Sequence, residues 1–300
     1  MSSPRSWAFV LQCSIGAAAC GSSGGTTCTS DDQCPSHFCR VDGTCGPATT
    51  DAPAARPDGG SDGSSGVCTP NMDGTITLAE LPLAAGRSAK FRIATNATWN
   101  TAGTSNTDGS RDWDLSGQLS GDADHTLALS APTGAWWAGD FPGATYSAVL
   151  SASSNLLGVF AIDATGVTLL GVVSPNAGST KTELSYAPPA RILSVPFMAG
   201  STWSSTSTVT GTADAVPVDY DETYDSSVDE VGTMKTPYGS FPVLRVATNL
   251  TRTEGVVTVL TTKTFSWTAE CFGAVATVQS QSNETGTEFS NDAEVERLAP

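Results

Sequence analysis

The sequence predicts an all-β protein. The expected form is an antiparallel meander, closed like a barrel or folded as two sheets, with two β-subdomains at 68–187 and 188–300. A small disulfide module and linkers precede it. Three observations carry this expectation. Apolar and polar residues alternate with a period of two, as in Ala89-Lys90-Phe91-Arg92-Ile93-Ala94-Thr95 and Thr145-Tyr146-Ser147-Ala148-Val149-Leu150, which is the pattern of a strand with one face buried. Charged residues make up only 15% of the chain, whereas Ser, Thr and Gly abound, a composition suited to strands with uncharged polar faces. Helical periodicity of useful length is missing, the segment Asn291 to Leu298 being the one candidate.

Taken in order, the chain opens with a signal segment over residues 1–19. Arg5 precedes an apolar run from Trp7, and small residues Ala17-Ala18-Ala19 stand directly before Cys20. At about 13 residues the run is too short to span a bilayer, which takes about 20. The small residues before Cys20 resemble the lipobox of bacterial lipoproteins, although Ala17 stands where Leu is preferred. That resemblance implies acylation of Cys20, removal of everything before it, and attachment to an envelope membrane by lipid alone. With Gly21 after the cysteine, the outer membrane is the expected one. Secretion after an Ala-x-Ala site is the alternative.

Residues 20–27 form a Gly/Ser/Thr spacer with nothing to bury. It holds Gly21-Ser22-Ser23-Gly24-Gly25, a formal match to the hydrolase G-x-S-x-G pattern, but that pattern needs a strand before and a helix after, and linker flanks it on both sides. The module at 28–45 places Cys28, Cys34, Cys39 and Cys45 in 18 residues. So short a segment needs disulfides in place of a core, and the spacings lack the C-x2-C knuckle of a zinc site. It resembles the Dickkopf-N-like cysteine-rich repeats of myxobacterial surface proteins. Residues 46–67, rich in Pro, Gly, Asp and Ser, read as a second linker.

With Cys13 in the signal and Cys20 lipidated, Cys68 and Cys271 remain and are expected to bond to each other, as an exported chain seldom keeps two free thiols. The opening Cys68-Thr69-Pro70-Asn71-Met72-Asp73-Gly74-Thr75-Ile76-Thr77-Leu78-Ala79-Glu80 puts Thr69, Asn71, Asp73 and Glu80 at ligand positions of a calcium loop. Thr69 in place of Asp, and flanking Pro70 and Pro82, depart from that pattern. A turn tipped by Asp73-Gly74 is the alternative.

Strands are then expected at 89–95, 126–129, 145–150 and, as a hairpin turning at Asp163 to Gly166, within 156–173. Tyr186-Ala187-Pro188-Pro189 reads as an extended seam outside any interior strand. Further strands follow at 192–197, 206–212, 216–224, 228–236, 241–250, 256–269 and 274–281. Two phrases stand out: Pro196-Phe197-Met198-Ala199-Gly200-Ser201-Thr202-Trp203, and Gly232-Thr233-Met234-Lys235-Thr236-Pro237-Tyr238-Gly239 leading to Val243-Leu244-Arg245-Val246. Together with the Asn71 to Gly74 opening and the close at Ala269-Glu270-Cys271-Phe272-Gly273, they make the chain from Cys68 onward resemble a family of myxobacterial lipoproteins that carries no assigned activity.

A net charge of −16 and a pI near 4.2 exclude phosphate-backbone binding as a main task. Two histidines, His37 and His125, rule out a histidine-rich metal site and leave His125 as the sole histidine of the β-region, read as a loop residue beside Asp122 and Asp124. Carboxylates crowd 214–230: Asp214, Asp219, Asp221, Glu222, Asp225, Asp229 and Glu230, with no Lys or Arg between them. Strand alternation puts Asp219 and Asp221 on one face, which suits a solvated face, a cation site or a glycosidase pair. Trp136, Trp137, Phe141 and Tyr146, or Trp99 and Trp113 beside Asp112 and Asp114, would stack on sugar rings if exposed. The sequence thus favours a non-enzymatic binding or structural lipoprotein whose partner is a carbohydrate or an envelope protein. A carboxylate-dependent hydrolase or a carbohydrate-binding module is the alternative.

Overall fold

The computed structural model describes residues 68–300. The signal segment, Cys20, the 28–45 cysteines and the linkers lie outside the described residues. What is described is nearly all strand: β1 Thr75–Ile76, β2 Ser88–Thr98, β3 Thr104–Ser105, β4 Arg111–Asp114, β5 Ala123–Ala128, β6 Tyr146–Ser151, β7 Ser154–Asp163, β8 Gly166–Val173, β9 Glu183–Ser194, β10 Phe197–Met198, β11 Thr202–Ala213, β12 Val216–Lys235, β13 Ser240–Glu254, β14 Val257–Ala269, β15 Gly273–Ser280 and β16 Asn291–Leu298. A 3-10 turn at Leu78–Glu80 is the one helical piece among the described residues.

Twelve strands join in the order β5-β2-β16-β15-β14-β13-β12-β11-β9-β8-β7-β6, each antiparallel to its neighbours. The two outer strands meet where the Ser130 N–H donates to the Ser147 carbonyl at 2.8 Å and the Ser147 N–H to that of Ser130 at 2.9 Å. The sheet thus nearly closes into a barrel, which removes most of the exposed edge that a sheet this wide would otherwise carry. β1 and β10 make a separate two-stranded sheet, pairing Ile76 with Phe197.

Alternation decides what faces inward. On β12, Tyr220, Glu222, Tyr224, Ser226 and Val228 are buried while Asp219 and Asp225 are exposed, as a period of two requires. The inward side chains of β6 through β13 form one apolar cluster containing Tyr146, Phe160, Val172, Tyr186, Val209 and Val246. β15 is buried along its whole length because its outward face is covered as well. On the adjoining β14, Trp113 of β4 and Phe289, from the connection after β15, pack on Trp267 and Phe265 with ring centroids 5.6 and 5.4 Å apart, in one cluster with Val275, Ala276 and Val278 of β15.

Several expectations are corrected. Pro188 and Pro189 lie inside β9, which pairs with both β8 and β11. The prolines fit because neither ladder uses them: β11 pairs no further than Ala187, and the β8 partner jumps from Ala190 to Ser185, leaving Pro188 and Pro189 in a bulge of β9. No seam divides the chain there, and residues 68–300 group as one compact unit. The two strands expected at 216–224 and 228–236 are one strand of 20 residues, bent by a bulge between Val228 and Glu230. The tail 291–298 is β16, not a helix, since its neighbours β15 and β2 capture its backbone. His125 lies in β5 opposite Phe91, not in a loop.

One inward position predicts a pH effect. Asp292 is fully buried, neither carboxylate oxygen has a hydrogen bond of normal geometry, and burial pushes its pKa up to about 7, offset only in part by the Trp99 backbone N–H. An acid raised from 3.8 in this way costs nothing while protonated and progressively destabilises the fold as pH rises from about 4 to 7. Asp292→Asn is expected to raise the unfolding free energy at pH 8 by the order of 2–4 kcal/mol and to flatten its pH dependence across that window. Denaturant melts at pH 4, 6 and 8 check it; equal slopes in both proteins would reject it.

Candidate functional site

The acidic run resolves into three separate environments. Outward on β11 and β12, Ser204 donates to Asp225 at 2.6 Å and Thr208 to Asp221 at 2.8 Å, a polar ladder open to solvent. At the bulge, Asp229 takes a two-pronged ion pair from buried Arg245, at 2.9 and 2.8 Å, and Glu230 pairs with Arg111 at 2.7 Å. Inward, Glu222 is fully buried. Its Oε1 accepts from Arg252 Nε and Nη2 at 3.0 and 2.6 Å, and its Oε2 from the hydroxyls of Tyr186 and Tyr224 at 2.9 and 2.6 Å. The Arg252 guanidinium also lies 4.1 Å from the Tyr220 ring centroid. Burial, then the Glu222 charge, drives the Tyr186 and Tyr224 hydroxyls well above their ordinary pKa. This network is closed on itself: four donors fill the carboxylate, leaving it no lone pair aimed at a substrate. No pattern in the acidic stretch points to it, because its cation, Arg252, comes from β13.

The aromatic platforms are core. Trp113, Trp137, Phe141 and Tyr146 are buried, since each lies on a face that another layer covers. Trp99 and Trp136 are half-buried. Trp99 packs edge-on against Trp267 with centroids 5.7 Å apart and donates Nε1–H to the Asp114 carbonyl at 3.1 Å. A depression of about 450 Å³ does gather Trp99, Asp112, Asp114 and Lys235. The Asp114 carboxylate there is held below its usual range, first by the Ser116 hydroxyl.

The expected calcium ligands are occupied locally. Asp73 Oδ1 accepts the Thr75 N–H at 2.7 Å, Asp73 Oδ2 the Asn71 amide at 3.2 Å, and Asn71 Oδ1 the Asp73 N–H at 3.0 Å. Glu80 caps the 3-10 turn, its Oε2 accepting the Thr77 N–H and hydroxyl, both at 2.8 Å. Thr69 is exposed. No three His, Cys, Asp or Glu side chains converge as ligands among the described residues.

Cys68 and Cys271 are bonded, with Cα atoms 5.5 Å apart across 203 residues of sequence. The bond fastens the N-terminal strap, residues 68–86, across one end of the barrel. Beside it Glu270 Oε2 accepts the N–H groups of Asn71 and Met72 at 2.7 and 2.9 Å, and the Cys271 N–H donates to the Glu80 carbonyl at 2.8 Å. Between this strap and the ends of β12, β13 and β14 lies a half-open cleft of about 380 Å³. Pro70, Met72 and Ile76 form its strap wall, and Val231, Phe241 and Leu244 face them. Among the described residues, Thr268 and Glu270 are the only polar side chains that line it.

All four segments that carry the lipoprotein resemblance meet here, although they are far apart in sequence. The opening contributes Met72 and Gly74, the first phrase Ala199, the second Gly232, Val243 and Leu244, and the close Ala269, Glu270 and Phe272. Gly232 shows why glycine is needed: a Cβ there would come 1.7 Å from the Arg111 carbonyl oxygen, because β4 runs parallel to β12 at that point. This cleft is the candidate site. Sequence reasoning picked out its segments without showing that they touch.

No family model matches the chain, and no curated protein does. A crystal structure of a Bacteroides fragilis protein with a YmcC-like fold aligns over 77% of this chain and 97% of its own, at 11% identity and a TM-score of 0.31. Similarity at that level carries no argument about this protein.

Proposed function

We propose that the protein is an exported cell-envelope lipoprotein, tethered through Cys20, in which the β-barrel serves a non-enzymatic binding role. The observation that carries this reading is the convergence of four separated segments on one apolar cleft, at the barrel end where the chain from Cys20 arrives at Cys68. The carboxylates of the acidic stretch support the non-enzymatic part: buried Glu222 is consumed by Arg and Tyr donors, and Asp221 and Asp225 outside belong to a solvated ladder. The disulfide supports an oxidising compartment.

A tether suits the barrel better than insertion. Its outward face on β11 and β12 carries Asp219, Asp221 and Asp225 among Ser and Thr, and acidic side chains turned to lipid are destabilising. Acylation with two or more chains gives stable anchoring where one does not. Metabolic labelling with a fatty-acid probe tests it: the wild type is expected to label and fractionate with membranes, and Cys20→Ala to do neither. A Cys20→Ala protein that still labels overturns the tether.

A further inference from the structure

We infer that the cleft under the N-terminal strap binds a single hydrocarbon chain, that of a long-chain fatty acid. This deepens the binding role proposed above and rests on it for location, not for the binding chemistry. The cleft's volume of about 380 Å³ falls in the range of small-molecule sites, and its lining is hydrocarbon from Pro70, Met72 and Ile76 on one side to Val231, Phe241 and Leu244 on the other.

The lining argues against a peptide. A peptide would carry N–H and C=O groups into the cleft, and each buried one needs a partner. Pro70 and Pro242 have no N–H to offer, and Glu270 Oε2 already accepts two backbone N–H groups of the strap. A polymethylene chain makes no such demand. At the mouth, Met72 is 63% exposed; its flexible thioether can follow a chain of variable length. A carboxyl head would stay outside in water, because the one charged side chain at the cleft is another carboxylate.

The test uses the full chain carrying Cys20→Ala, which has no lipid of its own, so its result does not depend on acylation. Titration with cis-parinaric acid, whose emission rises on leaving water, is expected to saturate at one molecule per chain and to be reversed by palmitic acid. Ala199→Trp should block the mouth, and Met72→Asn should place an amide in the strap wall. Asn tolerates the positive φ of 57° found at Met72, and both sites are exposed, so neither change disturbs the core. Each is expected to weaken binding at least about tenfold, with an unfolding midpoint like that of the parent. Val256→Asp, on the fully exposed β13–β14 hairpin, should leave binding unchanged. The inference is overturned if the parent shows no saturable rise, if both cleft variants bind like the parent, or if Val256→Asp abolishes the signal.

Discussion

Removing the Cys68–Cys271 bond with the double change Cys68→Ser, Cys271→Ser is expected to cost about 5 kcal/mol, the chain-entropy value for a loop of this length. For a domain of this size that is on the order of 10–20 °C in unfolding midpoint. The bond closes 203 residues, nearly all of the described barrel, so its loss releases entropy in the unfolded chain as a whole. In the folded state the strap keeps other fastenings: the Glu270 carboxylate on Asn71 and Met72, the pairing of β1 with β10, and buried Ile76. The variant should therefore fold, with unfolding still cooperative. Urea melts of the oxidised parent, the reduced parent and the double variant check this. The two reduced forms should coincide, and a shift below about 1 kcal/mol in both would show that the bond adds nothing the strap's other contacts do not already supply.

Arg252→Ala is the second large effect, expected to destabilise by about 3–5 kcal/mol because it leaves the Glu222 charge buried and unbalanced. Glu222→Gln should cost less, since the amide keeps an acceptor for one tyrosine and the Arg252 guanidinium retains the Tyr220 ring as a neighbour. Replacing both residues together, with Glu222→Leu and Arg252→Met, should recover much of the loss of either single change, since no buried charge remains. A double-mutant cycle measured by denaturant unfolding gives the coupling directly. Coupling near zero would mean that the pair is not a unit, against the 2.6 and 3.0 Å contacts of the structure.

The strand content and much of the core could be read from the chain alone. Alternation in Ala89 to Thr95 and in Thr145 to Leu150 is a one-dimensional signal, and a period of two leaves one face for the interior whatever the partners are. Cysteine parity likewise singled out Cys68 and Cys271, because in an oxidising compartment two leftover thiols have one outcome. What each face would meet could not be read. Glu222 and Asp221 are neighbours of the same type in an acidic run; only the register of β12 against β11 and β13 turns one toward Arg252, Tyr186 and Tyr224 and the other toward water. Trp113 and Trp137 looked available for sugars because they sit in the connections after β2 and β5, and only the folding of those connections onto the sheet buries them. Pro188 and Pro189 looked like a boundary because proline cannot donate to a ladder, and only the bulge that holds them out of both ladders makes an interior strand of that segment. The cleft is tertiary in the same sense. Its segments were visible as phrases, but barrel closure and the strap held by Cys68–Cys271 brought residues 70–76, 199, 231–244 and 268–272 to one end, where side chains distant in sequence form a single apolar wall.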